Sequence, residues 1–151
     1  PNIKRLAEEK LQITLALSLH GSSQEKRQEL MPIAYQYDLS EVLAACEEYF
    51  EKTGRRITFE YSLVQGVNDT AEDAARLIKM LGHMNCHMNL IPVNPIKERA
   101  FQKPSRKNAE EFKNKLEHNG INVTIRRERG SDIDGACGQL RRRHITSKKE
   151  N

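Results

Sequence analysis

Cys137 is the side chain in this sequence best suited to covalent chemistry. Small residues surround it in the segment Gly135-Ala136-Cys137-Gly138, so nothing bulky would hinder a reactant that approaches the sulfur. Asp132 and Asp134 are close by in the chain, and carboxylates raise the pKa of a thiol rather than lower it. The sequence therefore indicates a thiol that depends on a cofactor or substrate for its reactivity, with an incidental loop cysteine as the alternative.

A second group of polar residues follows the predicted strands. The segment Ser18-Leu19-His20 ends the first strand, Asn68 and Asp69 follow the second, and Asn94 follows the third. Sites in parallel α/β proteins gather at the carboxyl ends of the strands, so we expect these donors and acceptors to share one rim that binds a polar small molecule. Taken singly, each of them could instead be a turn or capping residue.

Glu60 is a carboxylate in the middle of the second predicted strand, between Phe59 and Tyr61. Burial without a partner would be costly for it, so it is expected to face either solvent or a polar lumen. Arg126, on the polar side of a later strand, is a candidate partner. A purely structural ion pair is the alternative role for the two residues.

The other two cysteines give no functional signal. Cys46 falls on the apolar side of a predicted helix and is expected in the core, and Cys86 begins a predicted strand. An odd, widely spaced set of cysteines does not make a disulfide framework, and no Cys-x-x-Cys pair is present to hold a metal. A reducing cytoplasm is the simplest compartment, and the polar N-terminus shows no signal peptide.

Alternating strands and helices are predicted to position these residues. The strands are expected at 13–20, 57–64, 88–93 and 122–127. The longer helices are expected to begin at the N-caps Ser40, Thr70 and Ser105, with Thr70 and Asp73 forming a capping box and with Gly54 and Gly120 beyond the first and third. Shorter helical segments are expected at 2–10 and 23–30. This alternation implies a parallel sheet with right-handed crossovers.

The predicted strands each have one apolar and one polar face. A barrel wall around a polar lumen explains this pattern better than a sheet with a dry core on both sides, and a sheet with one face in water is the alternative. The chain has 151 residues, of which 37% are hydrophobic, which is enough for one core. No apolar stretch approaches the ~20 residues that span a membrane.

The charge is mixed, with 25 Lys and Arg against 21 Asp and Glu, which argues against a disordered polyelectrolyte. A basic tail at 141–151 could contact phosphates or could simply be solvated. Aromatic residues make up only 5% of the chain and Trp is absent, so an RRM-like surface for base stacking is not indicated.

Five segments together resemble the RlmN/Cfr-type radical SAM methyltransferases, which methylate carbon 2 or carbon 8 of an adenine in RNA. They are ALSLHG at 16–21, ELMPI at 29–33, GRRITFEYSLVQGVND at 54–69, MNLIPVNP at 88–95 and NVTIRRERGSDIDGACGQL at 122–140. The resemblance covers about residues 2–141 and is nearest to the housekeeping branch, which acts on 23S ribosomal RNA and transfer RNA. Its most specific part is the stretch around Cys137.

The resemblance implies an α/β fold, the C-terminal portion of an incomplete (β/α) radical SAM barrel with parallel strands and helices on the outside. It divides the chain into barrel (1–128), catalytic cysteine loop (129–140) and basic tail (141–151). The family's S-adenosylmethionine contacts match Ser18, Leu19, His20 and Asn94, and its S-methylcysteine intermediate matches Cys137.

The resemblance also implies the chemistry. One adenosylmethionine methylates the cysteine, and a second is cleaved at a [4Fe-4S] cluster to a deoxyadenosyl radical. That radical removes hydrogen from the S-methyl group, the carbon radical adds to adenine, and a second cysteine resolves the crosslink. A cytoplasmic monomer that receives electrons from a donor such as flavodoxin, without a membrane, is implied.

This sequence lacks the family's Cys-x3-Cys-x2-Cys cluster motif, its resolving cysteine and its glycine-rich adenosylmethionine contact. All of these precede the matched region in the family, so the cluster cysteines are expected upstream of Pro1 and the chain corresponds to a C-terminal half. Alone it is expected to hold no cluster and to be inactive. The open edge of its sheet predicts poor solubility.

Two other classes of function stay open. A non-catalytic RNA-binding module would bind RNA in a salt-dependent way and would be indifferent to Cys137→Ala. A barrel hydrolase or aldolase that uses Glu60 and His20 would work in air and without iron. The glycine-flanked thiol after the last strand favours the radical methyltransferase.

Overall fold

The structure is a computed structural model that describes residues 1–9, 11–93 and 101–126. Asn94, Cys137 and the boundaries predicted for the cysteine loop and the tail lie outside the described residues. The helices are α1 (Asn2–Glu8), α2 (Gln24–Leu30), α3 (Leu39–Thr53), α4 (Ala71–Leu81) and α5 (Arg106–Glu117), with a 3-10 turn at Pro32–Tyr35. The strands are β1 (Ala16–Ser18), β2 (Ile57–Leu63), β3 (Cys86–Pro92) and β4 (Asn122–Ile125).

The helix ends follow their predicted caps with one exception. The capping box of Thr70 and Asp73 starts α4, Ser105 caps α5, and Gly54 ends α3 in the left-handed conformation at φ 65°. The prediction of Ser40 as the cap of α3 is wrong. Asp38 occupies that position, with its side chain accepting a hydrogen bond from the Ser40 amide, because Leu39 is already helical.

The four strands form one parallel sheet in the order β1-β2-β3-β4, which confirms the predicted α/β class. The sheet of the described residues is open and does not close into a barrel. β1 is shorter than the predicted 13–20, although hydrogen bonds from the Thr58 amide to the Leu15 carbonyl and from the Leu19 amide to the Glu60 carbonyl extend its pairing at both ends.

One face of the sheet forms the core with the helices. Alternate residues of β2 and β3 are buried, and they pack with Leu19 and with the inner sides of α3, α4 and α5. The ring of Tyr61 stacks on that of Phe112 at a centroid distance of 5.9 Å, joining β2 to α5. Cys46 is buried in this core, as predicted from its helical position.

The opposite face carries the polar residues and is only partly shielded by the described residues. Thr58, Glu60 and Ser62 of β2 are half-buried there, and Thr124 of β4 is exposed. This is the arrangement expected of a strand set with one core face and one polar face. None of the described helices is long and apolar enough to cross a membrane.

Candidate functional site at the strand ends

The carboxyl ends of β1 and β2 meet at His20. The chain turns there with a φ of 55°, the left-handed region that side chains other than glycine seldom adopt. The amide of Ser62 donates a hydrogen bond of 2.9 Å to Nδ1 of His20, so the end of β2 holds the imidazole ring. This strand-end position matches the rim predicted from the sequence.

The contact with Ser62 also fixes the state of the His20 ring. A backbone amide can only donate, so Nδ1 must be the acceptor and the proton of the neutral ring lies on Nε2. Burial, and then the nearby Arg27 guanidinium, lower the pKa of His20 below its usual 6.5. The residue is therefore a neutral hydrogen-bond donor at neutral pH.

Asn68 links the same two strand ends through its side-chain amide. Nδ2 donates to the carbonyl oxygens of His20 (2.9 Å) and Ser62 (2.6 Å), and Oδ1 accepts from the amide of Val64 (2.8 Å). The residue is fully buried. The sequence indicated a turn residue at this position, and the structure adds a buried brace that the sequence pattern does not reveal.

The polar face of the sheet carries four residues in a single row. Ser18, Glu60, Asn89 and Thr124 are paired partners on successive strands. Nδ2 of Asn89 donates to Oε2 of Glu60 at 3.0 Å, and Oγ1 of Thr124 donates to Oδ1 of Asn89 at 3.3 Å. The row therefore presents hydroxyl, carboxylate and amide groups on one face of the sheet.

The expected pairing of Glu60 with Arg126 is wrong. Within the described residues the partner of the Glu60 carboxylate is Asn89, and Arg126 makes no ion pair with it. The main chain of Arg126 does continue the sheet, since its amide donates to the Leu90 carbonyl, but the residue lies beyond the paired row that contains Glu60.

Helix α2 supplies buried charges that sequence reasoning missed. Nε of Arg27 donates to the Leu19 carbonyl at 3.2 Å, and the buried Nη1 has no hydrogen-bond partner within residues 1–9, 11–93 and 101–126. Lys26 forms an ion pair with Asp73, which is fully buried and also accepts from Ser22. Because Asp73 is 47 residues from Lys26 and 51 from Ser22, no local motif predicts these contacts.

Three of the predicted contact residues, Ser18, Leu19 and His20, are described by the structure, but their side chains do not all face the same side of the sheet. Ser18 presents an exposed side chain on the polar face and His20 adjoins it, whereas the side chain of Leu19 is fully buried in the core. The Leu19 amide already donates to Glu60, and its carbonyl accepts from Gly21 and Arg27, so any contact of Leu19 with a ligand would be a packing contact of its main chain. The predicted adenosylmethionine contact Asn94 and the predicted methyl-carrying residue Cys137 lie outside the described residues.

The donor set fits a nucleoside ligand such as adenosylmethionine. Hydroxyl, carboxylate and imidazole N–H groups from Ser18, Glu60 and His20 suit the hydroxyls, ammonium group and ring nitrogens of such a molecule. An iron–sulfur cluster does not fit the described residues. They contain no cluster of three metal-ligating side chains, and burial raises the pKa of both the Cys46 and the Cys86 thiol to about 11.

Comparison with known proteins gives a consistent result. No family model matches the chain. It is 59% identical over 145 residues to a protein of Lachnospira eligens named probable dual-specificity RNA methyltransferase RlmN, covering 96% of this chain and 41% of that protein. It is also 59% identical over 148 residues to a protein of the same name from Clostridium perfringens, covering 98% of this chain and 43% of the relative.

Solved structures agree with these sequence relatives. A radical SAM methyltransferase from Sphaerobacter thermophilus superposes with a TM-score of 0.87 at 45% identity, over 92% of this chain and 41% of that one. A domain of pyruvate-formate lyase-activating enzyme from Bacteroides vulgatus has a TM-score of 0.61 at 16% identity, a likeness of fold alone. The chain thus spans about two fifths of the length of the curated relatives it matches.

Proposed function

We propose, from the premise that this chain belongs to the RlmN family of radical SAM methyltransferases, that it forms part of an enzyme that methylates RNA. The specific reaction proposed is methylation of carbon 2 of adenine in 23S ribosomal RNA and transfer RNA. The observation that carries the proposal is the 59% identity to RlmN-named relatives over 96% to 98% of the chain. The polar rim at the ends of β1 and β2 supports it.

Ser18, Leu19, His20 and Asn94 are proposed to bind adenosylmethionine. Ser18 would offer its exposed hydroxyl and His20 its Nε2–H, both at the strand ends where parallel α/β proteins bind ligands. Leu19 would only pack its main chain against the ligand, because its amide and carbonyl are already hydrogen-bonded. Bound adenosylmethionine would supply both the methyl group and, on reductive cleavage, the radical that activates it. The three described residues would orient that ligand against the open face of the sheet.

Cys137 is proposed as the residue that carries the methyl carbon. Its sulfur would accept a methyl group, giving S-methylcysteine, and would then pass the carbon to the adenine. The small neighbours in the sequence around Cys137 would let the RNA base reach the sulfur. A [4Fe-4S] cluster and a second cysteine would come from residues outside this chain, and an electron donor such as flavodoxin would reduce the cluster of a cytoplasmic monomer.

The first test is to read the genomic DNA on both sides of the coding segment. An in-frame Cys-x3-Cys-x2-Cys motif would support the proposal and would define the complete protein for further work. A complete reading frame without such a motif would overturn it. A non-catalytic RNA-binding module would then take its place.

The decisive test is an assay of the complete protein, with its cluster reconstituted without oxygen. Methylated adenosine in digested ribosomal or transfer RNA is expected by mass spectrometry, and a peptide containing Cys137 is expected to carry an added methyl group. Cys137→Ala should abolish product formation. Cys86→Ala is the matched control, because it removes a buried thiol from the core face and should leave the reaction in place.

An unmodified Cys137 in enzyme that nevertheless methylates RNA would refute the role proposed for it. RNA binding that weakens with salt, without any methylated product from the reconstituted wild type, would instead favour the binding module.

A further inference from the structure

The side chain of Asn68 makes three hydrogen bonds, all of them to the main chain around the site. Both N–H groups of the amide donate to carbonyl oxygens, those of His20 and Ser62, and the amide oxygen accepts from Val64. A residue that only shaped a turn would be expected on the surface. Asn68 is instead completely buried. If its amide were removed, water could not reach the carbonyl oxygens of His20 and Ser62 to replace the lost hydrogen bonds unless the structure opened.

The main chain of Asn68 is fixed by a hydrogen bond from Tyr61. The hydroxyl of the buried Tyr61 donates a hydrogen bond of 2.8 Å to the Asn68 carbonyl oxygen. Burial, followed by the charges of Asp73 and Asp69, raises the pKa of Tyr61, so its hydroxyl stays protonated and keeps donating. The brace at Asn68 is therefore anchored to the hydrophobic core through β2.

The brace acts on a backbone conformation that needs support. His20 has a φ of 55°, a left-handed conformation that is strained for a residue with a side chain. Three hydrogen bonds hold it there: its carbonyl accepts from Asn68, its Nδ1 accepts from Ser62, and its amide donates to the Glu60 carbonyl at 3.3 Å. Asn68 also bonds the Ser62 carbonyl, so it fixes both residues whose contact sets the imidazole.

We propose that Asn68 is a positioning residue that locks the His20 main chain and thereby keeps Nε2–H of the imidazole directed to the bound ligand. No described residue accepts a hydrogen bond from that nitrogen. The part of the inference that concerns the ligand rests on the proposed function, since it takes His20 as a contact of adenosylmethionine. The part that concerns the geometry of His20 stands without it.

Asn68→Asp is the informative variant because it keeps the shape of the side chain and its accepting oxygen. It replaces the N–H groups with an oxygen that faces two carbonyl oxygens, so the brace becomes a repulsion. Asn119→Asp is the matched control. Asn119 is exposed beyond the end of α5, and its amide donates to the Lys115 carbonyl only.

The first readout is nuclear magnetic resonance of the complete protein labelled with ¹⁵N at histidine, without any ligand. In the wild type at neutral pH, His20 should show an unprotonated Nδ1 and a protonated Nε2. Asn68→Asp should mix the two tautomers, and Asn119→Asp should not. An unchanged His20 signature in a folded Asn68→Asp protein would overturn the proposal, whatever the ligand turns out to be.

The second readout is the affinity for adenosylmethionine by equilibrium dialysis. Asn68→Asp should weaken binding about tenfold, the loss expected for one misplaced hydrogen bond to a polar ligand, and Asn119→Asp should leave it within about twofold. Leu116→Ala, a core variant far from His20, shows how much affinity is lost through destabilisation alone. A loss no larger than that of Leu116→Ala would overturn the ligand part.

Two safeguards keep these outcomes interpretable. If Asn68→Asp does not fold, Asn68→Ser removes the amide with less repulsion and is read in the same two experiments. If the wild-type protein does not bind adenosylmethionine, the proposed function fails, while the tautomer of His20 still decides whether Asn68 positions that ring.

Discussion

The ammonium group of Lys26 lies 2.7 and 2.8 Å from the two carboxylate oxygens of Asp73, and this pair joins α2 to the first turn of α4. Lys26 also donates to the Val67 carbonyl at 2.7 Å, which attaches α2 to the segment that leaves β2. Burial alone would raise the pKa of Asp73, but hydrogen bonds from Lys26, Ser22 and Thr70 outweigh it and hold the pKa below its usual 3.8. The helix after His20 is thus fixed electrostatically to the helix after Asn68.

Lys26→Met should destabilise the protein by about 2–3 kcal/mol, less than the cost of breaking a fully buried pair because the Lys26 side chain is a quarter exposed. The loss arises because the fully buried Asp73 carboxylate would keep its charge without its ammonium partner. Denaturation by urea, followed by circular dichroism, measures it. Lys52→Met, which removes only exposed pairs with Glu8 and Glu48, should leave the unfolding midpoint nearly unchanged.

The state of His20 predicts a pH dependence. Its folded pKa is lowered, so the unfolded chain binds more protons below the usual value of 6.5. Stability should be complete above pH 6.5 and should fall as the pH is lowered through the folded pKa. His87, whose pKa is lowered by burial and then by Arg56 despite an opposing effect of Glu60, adds a contribution of the same sign.

Thermal unfolding between pH 5 and 7.5 tests this expectation. His20→Asn should flatten part of the slope, because asparagine tolerates the left-handed backbone and has no proton to gain. His118→Asn, at an exposed position beyond α5, is the control and should reproduce the wild-type slope. Equal slopes for the wild type and His20→Asn would contradict a buried neutral imidazole.

Glu60→Gln tests whether the polar row contributes to ligand binding. If the Glu60 carboxylate receives a hydroxyl or ammonium group of adenosylmethionine, the loss of charge should weaken binding about tenfold in the complete protein. The thermal midpoint should change little, because Asn89 can still donate to the amide oxygen. Glu72→Gln, on the outside of α4, is the matched control for the change of charge. Unchanged affinity in Glu60→Gln would remove this residue from the site.

Cys46 and Cys86 should resist alkylation in the folded protein. Both are buried, and burial raises the pKa of each thiol to about 11, so the reactive thiolate is scarce at pH 8. Peptide mass spectrometry after a short treatment with iodoacetamide should find them unmodified, and denaturation should expose both. Rapid modification of either in the native state would contradict the burial described here.

Sequence patterns that depend on neighbours in the chain proved sufficient for most of the fold. The capping box of Thr70 and Asp73 and the glycine cap at Gly54 depend only on residues a few positions apart, and both are present. Asp38 was overlooked as a cap because Ser40, two residues later, has an equally suitable side chain. Such errors move a helix boundary without changing the topology.

Interactions between distant residues could not be predicted in the same way. Asn68 carries the sequence signature of a turn, and only the packing of β2 against the end of β1 shows that its amide reaches His20. Lys26 and Asp73 are 47 positions apart. The burial of Asp73, which strengthens their ion pair, is not indicated by any local sequence pattern. Charge and a shared polar strand face predict Arg126 as the partner of Glu60, but the strand register places Asn89 beside it.

The parallel order of the strands has a consequence for how quickly the chain can fold. Every pairing in the sheet joins distant positions, since Glu60 and Asn89 are 29 residues apart and Asn89 and Thr124 are 35 apart. Closing such loops costs conformational entropy before the strand hydrogen bonds can form. A fold whose contacts join residues far apart in the chain, that is, one of high contact order, therefore folds slowly. β2 and β3 have the longest register and a crossover shorter than that between β3 and β4, so we expect them to pair first. β1 and β4, short and at the edges, would then join a sheet already begun.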